Sequence, residues 1–180
     1  MYDIITIGSA TRDFFIQTAA FDVHKSHHVV GGQEACLPLG AKIDVADLIF
    51  DTGGGATNTA ASFANFGFKT AAVCRVGQDF AGEEILRNLK KYKIDTRFVS
   101  LDSKHRTAYS IILVTEGGQR TILVYRGASA HFATADVPWS RLQSQWIYLS
   151  SLGGDLKLLT KILNTAAQKK IKVAWNPGGL

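Results

Sequence analysis

The run Asp51-Thr52-Gly53-Gly54-Gly55-Ala56-Thr57-Asn58-Thr59-Ala60 constrains this chain more than any other stretch. The apolar residues Val45, Ala46, Leu48, Ile49 and Phe50 before it read as a strand. Ala60, Ala61, Phe63, Ala64 and Phe66 after it have the spacing of a buried helical stripe. Three glycines at such a junction let backbone amides come close to a ligand, because no Cβ shields them. Asn58 falls in the first helical turn, where its carboxamide can donate to and accept from hydroxyls. That chemistry suits a polyol. A plain tight turn needs glycines too, so the residues alone leave both readings open. Two nucleotide loops fit poorly. A dinucleotide fingerprint wants a third glycine inside the helix, where Asn58 and Thr59 stand, and no Gly-Lys-Ser/Thr triplet closes a P-loop anywhere in the chain.

Around this junction the order of elements is that of a doubly wound α/β domain. Asp3–Gly8 is nearly all apolar, as a central parallel strand buried on both faces would be. Gly8-Ser9-Ala10 turns the chain at its carboxyl end, where open α/β sheets bind ligands, and Asp13 follows. An aspartate so placed is either a turn cap or a ligand-binding group. Phe14–Ile16 continue as a short strand. Residues 22–44 read as irregular, with Gly31-Gly32 as a hinge, and His24, His27 and His28 as loop residues rather than metal ligands on a helix. Gly67 marks a helix end. Thr70–Val76 is a second core strand, and Gly77-Gln78-Asp79 leads into a helix with Ile85, Leu86 and Leu89 on one face.

Residues 98–126 change character. Phe98–Leu101, Thr107–Val114 and Thr121–Tyr125 read as strands without helices between them, the last two joined by a hairpin at Glu116–Gln119. With residues 13–18 and 45–50 they are expected to form a small antiparallel sheet. Arg126, just past the hairpin, is a candidate clamp for paired oxygens. Trp146–Ser150 and Ile171–Trp175 are further core strands. They flank a helix opened by Asp155, with Leu156, Leu159, Ile162, Leu163 and Ala166 expected inward.

Composition narrows the classes. Hydrophobic content of 46% with only three prolines argues for a packed globule. The formal charge of +5 could attract nucleic acid, but Lys90-Lys91 and Lys169-Lys170 fall where helices end, and no basic stripe is interleaved with aromatics. No nucleic-acid partner is expected. The start carries no basic leader, and no stretch approaches the ~18 apolar residues of a membrane span. Cys36 and Cys74 form no CxxC pair. A cytoplasmic protein without a membrane partner is the expectation.

Gly53-Gly54-Gly55-Ala56-Thr57-Asn58-Thr59-Ala60 resembles the first signature of the ribokinase-like (PfkB) family of carbohydrate and nucleoside kinases. Ile4–Gly8 followed by Asp13, Val76-Gly77-Gln78-Asp79-Phe80-Ala81-Gly82, Gly118-Gln119-Arg120-Thr121 and Asn176-Pro177-Gly178 accompany it in the family's order. The resemblance spans residues 3–178. It implies a Rossmann-like ribokinase fold: a mainly parallel sheet, with a small antiparallel β lid drawn from about residues 13–18, 45–50 and 98–126, which is a dimer face in several relatives. It implies ATP-dependent phosphorylation of a sugar or related polyol with Mg²⁺. Asp13 and Asn58 would grip substrate hydroxyls, Gly53 and Gly54 would bring amides to the ring, and Arg126 resembles a residue of keto-acid sugar kinases. The family's second signature, an Asp-Thr-x-Gly-Ala-Gly-Asp-like segment supplying the anion hole and catalytic base, has no counterpart in residues 1–180. The chain therefore looks like the N-terminal half of a kinase, without a catalytic residue of its own and inactive alone. A non-catalytic sugar-binding or oligomerisation module and a nucleoside kinase are the alternatives.

Overall fold

The apolar run after Met1 forms β1 (Tyr2–Ile7), the middle strand of a five-stranded parallel sheet. The computed structural model describes residues 1–178. In chain order there follow β2 (Thr11–Gln17), β3 (Asp22–Lys25), β4 (Gln33–Cys36), β5 (Asp47–Gly53), α1 (Gly55–Asn65), β6 (Thr70–Gly77), α2 (Phe80–Lys91), β7 (Val99–Asp102), β8 (Ala108–Val114), β9 (Arg120–Tyr125), β10 (Ser144–Leu149), α3 (Leu156–Gln168) and β11 (Lys172–Trp175). Three short 3-10 helices, the first at Gly127–His131, lie between β9 and β10.

The chain divides into two compact units. The larger one holds Met1–Arg12, Asp51–Tyr109 and the chain from Val124 onward. Its sheet runs β11-β10-β1-β6-β7, every neighbouring pair parallel. The period-2 alternation of strands sorts the core into two layers. Ala71, Val73, Ile5, Ile7, Ile147 and Leu149 pack with Leu158, Leu159, Ile162 and Ala166 of α3. On the opposite face Ala72, Cys74 and Val76 pack with Ala56 and Ala60 of α1 and Ile85 and Leu89 of α2. Asp79 caps α2 by accepting from the Gly82 N–H, with Glu83 in the first turn and Lys90 and Lys91 in the last, as the helix dipole favours.

All three helices end in Schellman turns. After α1 the Gly67 N–H donates to the Ala64 carbonyl and the Phe68 N–H to that of Phe63, with Gly67 at φ +86°. After α2 and α3 the same left-handed position is filled by Lys93 (φ 58°) and Lys170 (φ 56°). Lys169 and Lys170 thus lie just past the last turn of α3. Lys169 Nζ donates to the carbonyls of Trp139 (2.6 Å) and Leu142 (3.1 Å).

The smaller unit holds Asp13–Phe50 and Ser110–Leu123. Its strands belong to a four-stranded sheet in the order β5-β2-β8-β9 and to the β3–β4 hairpin. This is the small antiparallel sheet expected from the sequence. Its apolar side chains stay largely open: Leu48, Ile49, Phe50, Ile122 and Leu123 are each about half exposed.

Several expectations need correction. The strand at 99–102 pairs in parallel with β6 and belongs to the central sheet, not to the small one, because Cys74 to Gly77 register with Val99 to Asp102. Residues 22–44 are not wholly irregular. His24 sits on β3 opposite Glu34, in a ladder too polar to show an apolar period. On α3 it is Leu158 that is buried, whereas Leu156 and Leu163 face outward, as does Phe66 beyond α1.

Candidate active site: the glycine turn at the end of β1

The start of α1 is locked onto the carboxyl end of β1. Ser9 accepts the Gly55 N–H on its Oγ and the Ala56 N–H on its carbonyl, both at 3.0 Å. Two of the amides that a helix start leaves without an intrahelical partner are satisfied this way. Gly54 has φ +104°, and a Cβ there would stand 2.5 Å from the Ser9 oxygen and 2.6 Å from Ala10 Cα. Thr57 Oγ1 donates to the carbonyls of Gly53 and Gly54, and Thr6 Oγ1 reaches the Ala56 carbonyl at 2.9 Å. Behind the turn, Ser150 at the end of β10 donates to the Ile7 carbonyl. The glycines are therefore needed for close packing as well as for any ligand. Gly53 is buried and Gly54 half-buried.

Asn58 emerges from this packed turn exposed. Its backbone N–H donates to Gly54 (2.9 Å) and its carbonyl accepts from Ser62 Oγ (3.0 Å). Among the described residues no hydrogen bond to its carboxamide is found. A rigid turn thus carries a polar side chain with both donor and acceptor capacity open.

Arg126 caps the 3-10 helix Gly127–His131 and is exposed. That helix docks on the β1–β2 turn: Ser129 Oγ donates to the Ala10 carbonyl at 2.9 Å and accepts from the Ala10 N–H at 3.4 Å. On its other side the Ala128 N–H donates to the Arg106 carbonyl at 2.7 Å. Gly127, at φ +43°, has no room for a Cβ, which would lie 2.3 Å from that same oxygen. Ser9-Ala10 is therefore a shared anchor for the glycine turn and for the helix that bears Arg126. Asp13 lies half-buried on β2 in the smaller unit. The structure thus gathers Gly53, Gly54, Asn58 and the Arg126 helix around one turn of the larger unit, while Asp13 belongs to the smaller unit.

Supporting residues that the sequence did not single out for function hold this frame. Asp79 accepts from Thr107 Oγ1 (2.6 Å), the Thr107 N–H (2.9 Å) and the Gly82 N–H (2.9 Å), and Thr107 Oγ1 accepts the Gly77 N–H (2.9 Å). Burial alone would raise the Asp79 carboxyl, but the hydrogen bonds from Thr107 and Gly82 outweigh it, so its pKa lies below the ordinary carboxylate value. Arg75, on the otherwise apolar β6, pairs with Asp102 at 2.8 Å and Asp136 at 3.1 Å. Asp102 also accepts from the Lys104 and His105 N–H groups and from His105 Nδ1, and the His105 ring stacks on His131 with centroids 3.6 Å apart. A charge inside a buried strand was the one visible signal, since it demands a partner. No group of three His, Cys, Asp or Glu side chains able to hold a metal ion occurs among the described residues, and no helix among them is long and apolar enough to cross a membrane.

The model of the pfkB family carbohydrate kinases matches residues 3–178. The ribokinase of Mus musculus is 31% identical over 176 residues, covering 97% of this chain and 50% of that protein. The aminoimidazole riboside kinase of Salmonella typhimurium is 31% identical over 103 residues, 56% of this chain and 32% of that one. Among solved structures, the Arabidopsis thaliana ribokinase complexed with ribose and ATP superposes with a TM-score of 0.77 at 18% identity, covering 99% of this chain and 54% of that one. The chain spans about half the length of the Mus musculus ribokinase that it matches. A parallel sheet with helices on both faces, a small antiparallel sheet, a glycine-opened helix locked on β1, and a family match over residues 3–178 agree with one another: the chain belongs to the pfkB family of carbohydrate kinases.

Proposed function

We propose that the whole protein transfers the γ-phosphoryl group of ATP to a hydroxyl of a sugar or related polyol, and that this chain supplies the part that holds the acceptor. The observation that carries the reading is Asn58, exposed on a turn whose backbone is fixed by Ser9, Thr57 and Thr6. Phosphoryl transfer depends mainly on positioning and on electrostatic stabilisation of the transition state. In this reading Asn58 and Asp13 grip substrate hydroxyls, Gly53 and Gly54 bring the backbone close to the ring, and Arg126 binds a further oxygen pair. None of them is a catalytic base, and the 180 residues alone are expected to have no kinase activity. Mg²⁺ enters only with ATP. Among the described residues no group of three or more His, Cys, Asp or Glu side chains gathers to hold a metal ion.

The small sheet supports two further parts of the proposal. As a lid it would keep water from the phosphoryl group, and its half-exposed apolar strands β5 and β9 make it the candidate face for a homodimer. The Salmonella relative, named as a riboside kinase, favours a nucleoside as the second reading for the acceptor. A non-catalytic sugar-binding module is the third.

Calorimetric titration of ribose, fructose and adenosine into the 180-residue chain, with a coupled ATPase and kinase assay beside it, tests the proposal. The expected result is weak sugar binding that falls about tenfold or more in Asn58→Ala, the loss of one or two hydrogen bonds at ~1 kcal/mol each, with no turnover. Binding of adenosine alone favours the nucleoside reading. Sugar binding indifferent to both Asn58→Ala and Asp13→Ala sinks the assignment of these residues.

A further inference from the structure

The β3–β4 hairpin of the smaller unit sorts its side chains by chemistry. Its antiparallel register sets Asp22 opposite Cys36 and His24 opposite Glu34, with Val23 opposite Ala35 and Lys25 opposite Gln33. Directly paired residues share a face of a ladder, and so do residues two apart on one strand. Asp22, His24, Glu34 and Cys36 therefore lie on one face, and Val23, Lys25, Gln33 and Ala35 on the other. The second face is the one that the rest of the unit engages. Val23 lines a cavity with Thr18, Phe21 and Thr115, and the Gln119 carboxamide donates to Gln33 Oε1 at 2.8 Å. The first face is exposed at all four residues, and Cys36 is a free thiol. Lys25 stands on the opposite side and does not neutralise its two carboxylates.

An imidazole, a thiol and two carboxylates are the donor set of a zinc-type cation. Side-chain length also suits the ladder. The longer residues, His24 and Glu34, form one rung and the shorter ones, Asp22 and Cys36, the next, so the longer pair can lean over the shorter. His24 already does so: its Nε2 stands 3.1 Å from Asp22 Oδ2. Two such donors on one tetrahedral ion lie about 3.3 Å apart, so this pair is close to the spacing of one coordination edge. As they stand, no three of these side chains converge on one point. Cys36 and Glu34 reach it by changing rotamer, which an open surface permits. The hairpin has a use for an ion as well. It is a two-stranded sheet separate from β5-β2-β8-β9, and every residue of its strands is exposed. A two-stranded hairpin by itself is at best marginally stable in water. We propose that this face binds one Zn²⁺ through His24, Cys36 and Asp22, with Glu34 as the fourth ligand, and that the ion staples β3 to β4. The Cys36 thiol gives up its proton to solvent as the zinc–sulfur bond forms. The proposal does not depend on the kinase reading.

The test is to strip the 180-residue chain of metal with a chelator, titrate it with Co²⁺, whose tetrahedral thiolate complexes are coloured, and then add Zn²⁺. The expected result is one Co²⁺ per chain, with a thiolate-to-cobalt charge-transfer band and visible bands that Zn²⁺ bleaches. Saturating Zn²⁺ should also slow the reaction of Cys36 with Ellman's reagent by about tenfold or more, Cys74 being buried and silent in the native chain. Amide exchange across Asp22–Lys25 and Gln33–Cys36 should slow with it. Cys36→Ser should abolish the charge-transfer band, and His24→Ala should weaken binding by about tenfold or more. Both side chains are exposed, so the variants should keep the urea midpoint of the metal-free chain. No bound Co²⁺, a bound ion without the charge-transfer band, or Cys36 as reactive with Zn²⁺ as without it overturns the proposal. So does binding that survives His24→Ala but is lost when His27 and His28 are both replaced by alanine, which would put the ion on the turn and not on the ladder.

Discussion

Replacing Gly54 with alanine tests the claim that the glycine turn is packed against β1 before it meets any ligand. Its backbone, at φ 104° and ψ 149°, lies where L residues are almost never found. Forcing alanine there costs about 1–3 kcal/mol in backbone strain. The added Cβ would also meet backbone atoms, the Ser9 oxygen at 2.5 Å and Ala10 Cα at 2.6 Å, which cannot rotate aside as a side chain would. Overpacking of that kind adds about 1–3 kcal/mol. The two together amount to about 2–6 kcal/mol, a large part of the ~5–15 kcal/mol that typically separates folded from unfolded chains. Gly153 is the matched control: it also has positive φ, +65°, but no heavy atom lies within 4 Å of its would-be Cβ. Gly153→Ala should therefore lose only the backbone part, ~1–2 kcal/mol. Urea unfolding of both variants measures the difference. With a slope of about 2 kcal/mol/M, a 2 kcal/mol gap moves the Gly54→Ala midpoint about 1 M below that of Gly153→Ala. Coincident midpoints would refute the argument that close approach to Ser9-Ala10 is what demands glycine.

Three other outcomes follow from the same structure. Lys170→Gly, at the left-handed turn after α3, should stabilise the chain by about 0.5–1 kcal/mol by removing the Cβ cost, read as a higher urea midpoint; a fall would show that Lys170 has a contact worth more. Cys74 is fully buried and its thiol is pushed up to about 12 by burial, whereas Cys36 is exposed, so Ellman's reagent should titrate one thiol in the native chain and two in denaturant. Asp79 has a folded pKa below its unfolded value, so its stabilisation is present above about pH 4 and is lost as pH falls through the folded value. The stability gap between the natural chain and Asp79→Asn should accordingly narrow as pH falls below the ordinary carboxylate range, and a constant gap would contradict the hydrogen-bond account.

Much of the frame could be read from the residues because local and global signals agree there. The strands β1, β6, β10 and β11 are apolar runs bounded by turn residues, and the glycine turn, Asn58 in the first turn of α1 and the Gly67 stop each have a backbone reason to be where they are. What was not legible lies in long-range pairing. Val99–Asp102 looks like any short strand, and only its register with Cys74–Gly77 puts it in the central sheet. The expected stripe of α3 holds for Leu159, Ile162 and Ala166 but not for Leu156 and Leu163, because Leu156, Leu158, Leu159 and Leu163 offer two overlapping stripes, and contact with β10 and β11 decides between them. Ser9 and Ser129 are ordinary hydroxyls in sequence. Their roles appear only when Ser9 meets α1 and Ser129 meets Ala10, 119 residues away. Arg75 was the exception, a charge in a buried strand that announces partners without naming Asp102 or Asp136.

The central claim is that the turn from Gly53 to Asn58 holds the hydroxyls of the acceptor. Its most direct test is a titration of ribose or fructose into the ¹⁵N-labelled 180-residue chain, following the Asn58 carboxamide and the Gly53 and Gly54 amides by NMR. The account predicts that these signals shift together and saturate, and that the shifts at Gly53 and Gly54 shrink in Asn58→Ala while the rest of the spectrum stays folded. Saturable shifts confined to other parts of the chain, with the Asn58 carboxamide unmoved, would contradict it.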